Sequence, residues 1–147
     1  MRTRFALVGA LLVFLNLSVA PAQNVMGDSI VESLSASPGD PIRGRVIVAS
    51  RQTGLCLLCH SGPFPEERFQ GNLAPELGAS IARLNAAQLR ARIVDASRFN
   101  PNTIMPAYYR SDNLSQVAPK FAGQTILNGQ EIEDVIAFLL SLNHKSM

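Results

Sequence analysis

The chain's two cysteines stand three residues apart, and a histidine follows the second directly: Cys56-Leu57-Leu58-Cys59-His60. This is the spacing for covalent attachment of a c-type haem, in which each thiol forms a thioether to one edge of the porphyrin. The neighbouring imidazole is then held close enough to the iron to serve as its first axial ligand. A fold that must close around so large an apolar group is constrained more by this pentapeptide than by any other stretch. Two other uses of the same residues fit less well. A redox dithiol of the thioredoxin kind belongs after a strand in a βαβ unit, and the sequence shows no such unit. A structural zinc site takes about four ligands, whereas the chain has two Cys and two His in all, with His144 far away in the tail.

The N-terminus bears on the same question, because haem is attached to such chains outside the bacterial cytoplasm. Arg2 and Arg4 precede an apolar run from Phe5 to Leu15, and Ala20-Pro21-Ala22 supplies small residues for a signal peptidase. The spacing predicts a secretory signal over residues 1–22, cleaved after Ala22, and a periplasmic product. The apolar run is shorter than the roughly 20 residues of a membrane span. The full chain carries 13 Lys and Arg against 11 Asp and Glu. Two of those arginines lie in the signal, so the product has equal numbers of basic and acidic side chains. A neutral chain gives no reason to expect nucleic acid or anionic lipid as a partner.

Gln23 to Met147 has the length of one domain. Residues 23–39 are Ser-rich and end in Pro38-Gly39, which reads as an irregular N-terminal arm before a core over 40–147. Helices and loops account for the core, with little strand-like alternation, so the expected class is all-α. Asp40 offers an N-cap and Pro41 a first helical position for a helix to about Thr53, with Ile42, Val46, Ala49 and Thr53 as its apolar face. Pro63, Pro65, Pro75, Gly62 and Gly71 make Ser61 to Gly78 a loop suited to wrapping a cofactor edge. Asn85 and Gln88 form a capping-box start for a helix ending near Ser97, with Leu89, Ile93 and Val94 inward. Asn128 and Glu131 do the same for a last helix over Gly129 to Leu142, where Ile132, Val135, Ile136, Leu139 and Leu140 recur at helical spacing.

The sixth iron position decides between an electron carrier and a haem open to exogenous ligands. Of the four methionines, Met1 and Met26 precede the core and Met147 ends the tail. Met105 sits in Ile104-Met105-Pro106, a loop well downstream of the haem motif, stiffened by the proline. A thioether is a soft ligand that raises the potential and closes the site. Met105 is the expected ligand and His144 its main rival. With the iron so closed, a ligand sensor or haem enzyme is disfavoured.

The order Cys-x-x-Cys-His, Pro-containing loop, Met-Pro loop and amphipathic C-terminal helix resembles a class I cytochrome c. That resemblance implies one covalent haem c and a first helix packed across the last, with Gly44 and Phe138 at the crossing. It also implies that the Pro75 carbonyl, in Ala74-Pro75-Glu76-Leu77-Gly78, accepts a hydrogen bond from the ring of His60 and orients it. The family's usual glycine before this proline is Ala74 here. A narrower match runs through Pro38-Gly39-Asp40-Pro41, Gly44-Arg45, Val48-Ala49, Gly54 to His60, Phe69-Gln70-Gly71 and Ile104 to Arg110. Together these resemble SoxX, the mono-haem cytochrome subunit of the periplasmic SoxAX complex of thiosulfate-oxidising bacteria. The resemblance implies a SoxA-like partner whose cysteine-ligated haem joins thiosulfate to a cysteine of a SoxYZ-like carrier. The present chain would take up the released electrons and pass them to a small soluble cytochrome c. It would then be the electron-transfer subunit of an L-cysteine S-thiosulfotransferase complex and not catalytic by itself. Partner contact is expected near Leu55 to Leu58, and Tyr108, Tyr109 and Arg110 are open to haem propionates, a partner or simple packing. A free cytochrome c shuttle is the alternative function that shares every haem argument.

Overall fold

The Asp40-Pro41 pair starts the first helix as expected. In the computed structural model, which describes residues 25–143, helix α1 spans Pro41–Ala49, and the Asp40 carboxylate accepts from the amides of Ile42 at 2.7 Å and Arg43 at 3.2 Å. The proposed signal segment and His144 lie outside the described residues. Helix α2 covers Leu77–Ile81, α3 Ala86–Asp95 and α4 Gly129–Asn143, with 3-10 turns at Cys56–Leu58, Ala96–Arg98 and Pro119–Phe121. Strand is confined, among the described residues, to one short antiparallel hairpin, β1 (Val25–Met26) and β2 (Ser29–Ile30), with Val25 opposite Ile30.

Both capping boxes close reciprocally. Gln88 N donates to Asn85 Oδ1 at 3.0 Å while Asn85 N donates to Gln88 Oε1 at 3.1 Å, and the Asn128–Glu131 pair does the same at 2.8 and 2.9 Å. The inward residues predicted for α3 and for α4 up to Leu139 are buried. Helix α1 corrects its prediction in two ways. It stops at Ala49, because the Ser50 hydroxyl accepts from the amides of Gln52 and Thr53 and turns the chain out of the helix. Its inner face is also the other one. Ile42 and Val46 are 77% and 66% exposed, while Gly44 and Val48 are buried against α4. A Cβ at Gly44 would stand 1.9 Å from the Asp134 carbonyl oxygen and 2.9 Å from Phe138 Cβ. The two backbones therefore meet where a side chain has no room. The segment Ser61–Gly78, read as loop throughout, contains the first residues of α2, capped by the Glu76 carboxylate.

Residues 25–39 fold back on the core. Ile30 is buried against α3, and its carbonyl accepts from Arg90 Nη1 at 2.7 Å. Arg90 grips Glu133 of α4 through two bonds of 2.6 and 2.8 Å, and Glu133 also takes the Leu34 amide at 3.0 Å. Both side chains are buried. Burial opposes the Glu133 charge, but the bonds from Arg90 and Leu34 outweigh it and hold its pKa below the ordinary value. A carboxylate held down in this way stabilises the fold above the unfolded pKa and loses that stabilisation as pH falls through the folded one. Glu133→Gln leaves Arg90 buried without its counter-charge, and we expect a loss of about 3 kcal/mol or more at pH 7. The deficit relative to wild type should shrink as the pH falls below the ordinary carboxylate pKa, where the unfolded chain protonates first, and vanish only below the lower folded pKa of Glu133. Chemical denaturation at pH 7 and pH 3.5 checks this.

Candidate functional site

After Ser50 the backbone doubles back. Leu55 N donates to Ser50 O at 2.9 Å, and Leu55 itself takes a left-handed conformation (φ 60°) that turns the chain into the Cys56–Leu58 turn. His60 N closes that turn onto Cys56 O at 2.9 Å. The following loop is laced back along it: Gly71 N reaches Leu57 O at 2.9 Å, Ala74 N reaches Cys59 O at 3.0 Å and Leu77 N reaches Ser61 O at 2.8 Å. The Gln70 side chain holds the loop from inside, accepting from Gly62 N at 2.6 Å and donating to Phe64 O at 2.8 Å. Buried Phe64 in turn packs on Phe138 of α4, ring centres 5.6 Å apart.

This lacing sets Pro75 O 2.6 Å from His60 Nδ1. A carbonyl can only accept, so Nδ1 carries the proton and the Nε2 lone pair is left for a metal. Met105 comes from the other side of the sequence. Its loop starts with Thr103 N on Asn100 O at 3.0 Å, and Met105 N donates to Thr103 Oγ1 at 3.2 Å. Beyond it, Tyr108 N and Tyr109 N donate to Ile93 O and Val94 O of α3, each at 3.2 Å.

These two segments wall one cleft of about 550 Å³ that contains Cys56, Cys59, His60, Pro75 and Met105. Its size suits a cofactor of haem dimensions. Its floor is apolar: Val48 of α1, Ile93 of α3, Leu127, and Val135 and Leu139 of α4. The donor set is two sulfur anchors, an oriented imidazole and a thioether in a greasy slot, which fits a haem. Among the described residues no three His, Cys, Asp or Glu side chains converge as a metal-ion site would need. Burial pushes the Cys56 thiol up to about 11, opposite to the depressed value of a reactive redox dithiol.

The other sequence-flagged residues divide. Leu57 is 1% exposed and belongs to the core, whereas Leu58, at 44%, faces outward. Arg110 is committed to Asp95 at 2.8 Å. Tyr108 is buried on the cleft wall, with its hydroxyl on Gly54 O at 2.5 Å. Sequence reasoning left Tyr108 among three roles; its place three residues after the loop methionine was the available signal. Exposed Leu73 and Ile104, also on the cleft wall, were not singled out.

Among solved structures, the chain is similar to the crystal structure of SoxXA from P. pantotrophus. The two share 35% identity, the match covers 79% of this chain and 90% of that chain, and the TM-score is 0.71. No family model and no curated protein sequence matches. With α1 packed across α4 beside a cleft holding a Cys-x-x-Cys-His turn, and almost no strand, this is the all-α fold of a class I cytochrome c. The chain belongs to the SoxX family of cytochrome subunits.

Proposed function

We propose that the chain is a mono-haem c-type cytochrome and the electron-accepting subunit of a SoxAX-like complex in thiosulfate oxidation. The observation that carries this reading is the single cleft in which Cys56, Cys59, His60 and Met105 meet. Cys56 and Cys59 would hold the haem as thioethers, and His60 and Met105 would ligate its iron. Bound there, the haem supplies a one-electron couple. Pro75 fixes the tautomer and ring orientation of His60 through the 2.6 Å contact, which also raises the basicity of the ligating nitrogen. The apolar walls exclude water, so oxidation state changes with little rearrangement.

Thiosulfate joined to a cysteine thiol releases two electrons and a proton. In this reading that bond forms at a SoxA-like subunit on a SoxYZ-like carrier, and the present chain takes the electrons singly and hands them to a small cytochrome c. Leu58, Leu73 and Ile104 support a docking face for the SoxA-like subunit, since they are exposed apolar residues on the cleft wall, where a short electron path needs contact. The working form is periplasmic, with residues 1–22 removed, 23–39 preceding the domain and 40–147 forming it. Among the described residues no helix is long and apolar enough to cross a membrane.

Native purification from cells grown on thiosulfate tests the assignment. We expect co-purification with a second haem chain and reduction of this chain's haem only when thiosulfate and carrier are supplied; a lone mono-haem monomer would favour a free shuttle. In the isolated protein, Met105→Ala should keep the haem covalently bound, lose the ferric sulfur-to-iron charge-transfer band and bind carbon monoxide when reduced. An unchanged spectrum would remove Met105 from the ligand set.

A further inference from the structure

Tyr108 is held at three points. Its amide is on Ile93 O of α3 at 3.2 Å, its carbonyl accepts from Leu127 N at 3.1 Å, and its hydroxyl donates to Gly54 O at 2.5 Å. The last of these is buried and reaches back 54 residues in sequence. It joins the loop that carries Met105 to the turn that carries Cys56, Cys59 and His60. The far end of this strut is itself fixed, because Gly54 lies against α1 so closely that a Cβ there would be 2.1 Å from Ile47 O. Leu55, next in sequence, sits in the left-handed region, a conformation that persists in a non-glycine residue only where surrounding contacts enforce it.

Cys56 shares the same carbonyl. Its sulfur donates to Gly54 O at 3.3 Å. Thioether formation adds the S–H across a carbon–carbon double bond: the S–C bond forms, the π bond breaks and the proton goes to the second carbon. Sulfur then has no hydrogen to donate. Of the two side chains that reach Gly54 O, only Tyr108 retains its donor, so the strut matters more once the cofactor is attached.

On the ligand reading given above, we infer that Tyr108 is a positioning residue: by tying the Met105 loop to the haem-attachment turn, it keeps the Met105 sulfur on the iron, above all in the ferric state. A thioether is a soft ligand that favours ferrous iron, so the ferric bond is the weaker one and depends more on how the loop is held.

The test uses holoprotein carrying Tyr108→Phe, which keeps the ring and removes one oxygen. Loss of a single hydrogen bond corresponds to a change of roughly tenfold in a local opening equilibrium. We expect ferric Tyr108→Phe to bind added imidazole about tenfold more tightly than wild type, with a weakened sulfur-to-iron charge-transfer band and a lowered reduction potential. Tyr109→Phe, on the other tyrosine, should change none of these. If Tyr108→Phe yields no holoprotein, a fluorinated tyrosine incorporated in the Tyr109→Phe background places a stronger donor at position 108 alone, and imidazole affinity should fall. An intact band and unchanged imidazole affinity in Tyr108→Phe, alongside loss of the band in Met105→Ala, would overturn this inference alone. A wild-type protein without the band, or one in which Met105→Ala changes nothing, would overturn the ligand reading and this inference with it.

Discussion

The double substitution Cys56→Ser, Cys59→Ser should produce a chain that carries no covalent haem and does not melt cooperatively. The cleft of about 550 Å³ is cut into the middle of the hydrophobic core, since Val48, Ile93, Leu127, Val135 and Leu139 line it and are at the same time core residues. An apolar cavity costs about 24 cal/mol per Å³ when it stays dry, so one this large would cost on the order of 10 kcal/mol. That equals the whole stability of an ordinary small domain. The cleft must therefore flood or collapse, and either outcome removes the partner surface on which α1, α3 and α4 meet. Haem staining of a denaturing gel and a far-ultraviolet circular dichroism melt are the measurements. A sharp, native-like transition in the haem-free variant would show that the core closes by itself and that the cofactor is an addition to a finished fold.

Gly44→Val should be the most damaging single change away from the cleft. The obstacle is backbone, with the Asp134 carbonyl 1.9 Å from the new Cβ, so no side-chain rotation relieves it and the helices must separate. Separation also pulls apart the polar joint at the same level. Arg43 holds Asp134 through bonds of 2.7 and 2.8 Å, and the Asp40 amide holds it at 2.8 Å. The Arg43 bonds keep the Asp134 carboxylate below its usual pKa, so the joint is charged at neutral pH. Overpacking alone costs about 1–3 kcal/mol; with the joint broken we expect more than about 3 kcal/mol, or a fall in melting temperature of roughly 10 °C or more. Thermal denaturation of the haem-loaded protein checks this. A loss under about 1 kcal/mol would mean that α1 re-seats on α4 without strain.

The residues that could be read in the sequence were those whose interactions are local. Asp40, Asn85 and Asn128 cap helices through bonds that reach two or three residues, so the pattern that predicts them is the pattern that makes them. The Cys-x-x-Cys-His turn is local too. Helix α1 was misread because hydropathy gives weight to Ile42 and Val46 and none to Gly44, although a close backbone approach is decided by the smallest residue. Helix α2 is five residues long and capped by a glutamate amid prolines, below what periodicity resolves. Arg90 stands on an otherwise apolar helix face, and its partner Glu133 lies 43 residues away, so nothing nearby shows that its charge is matched inside the core. Tyr108 and Gly54 are 54 residues apart and met the same limit.

The packing of α1 on α4 also sets an order of events. Helix α1 is among the first parts of the domain to be synthesised and α4 the last of its described elements, and Arg90, which holds the Ile30 carbonyl, likewise meets Glu133 only once α4 is made. Contacts between such distant segments cannot form until the chain is complete. Until α4 packs, the Cys56–His60 turn is thus attached to a helix with an uncovered inner face, and on the exported chain its two thiols stay within reach of whatever delivers the cofactor until that helix arrives to close the door.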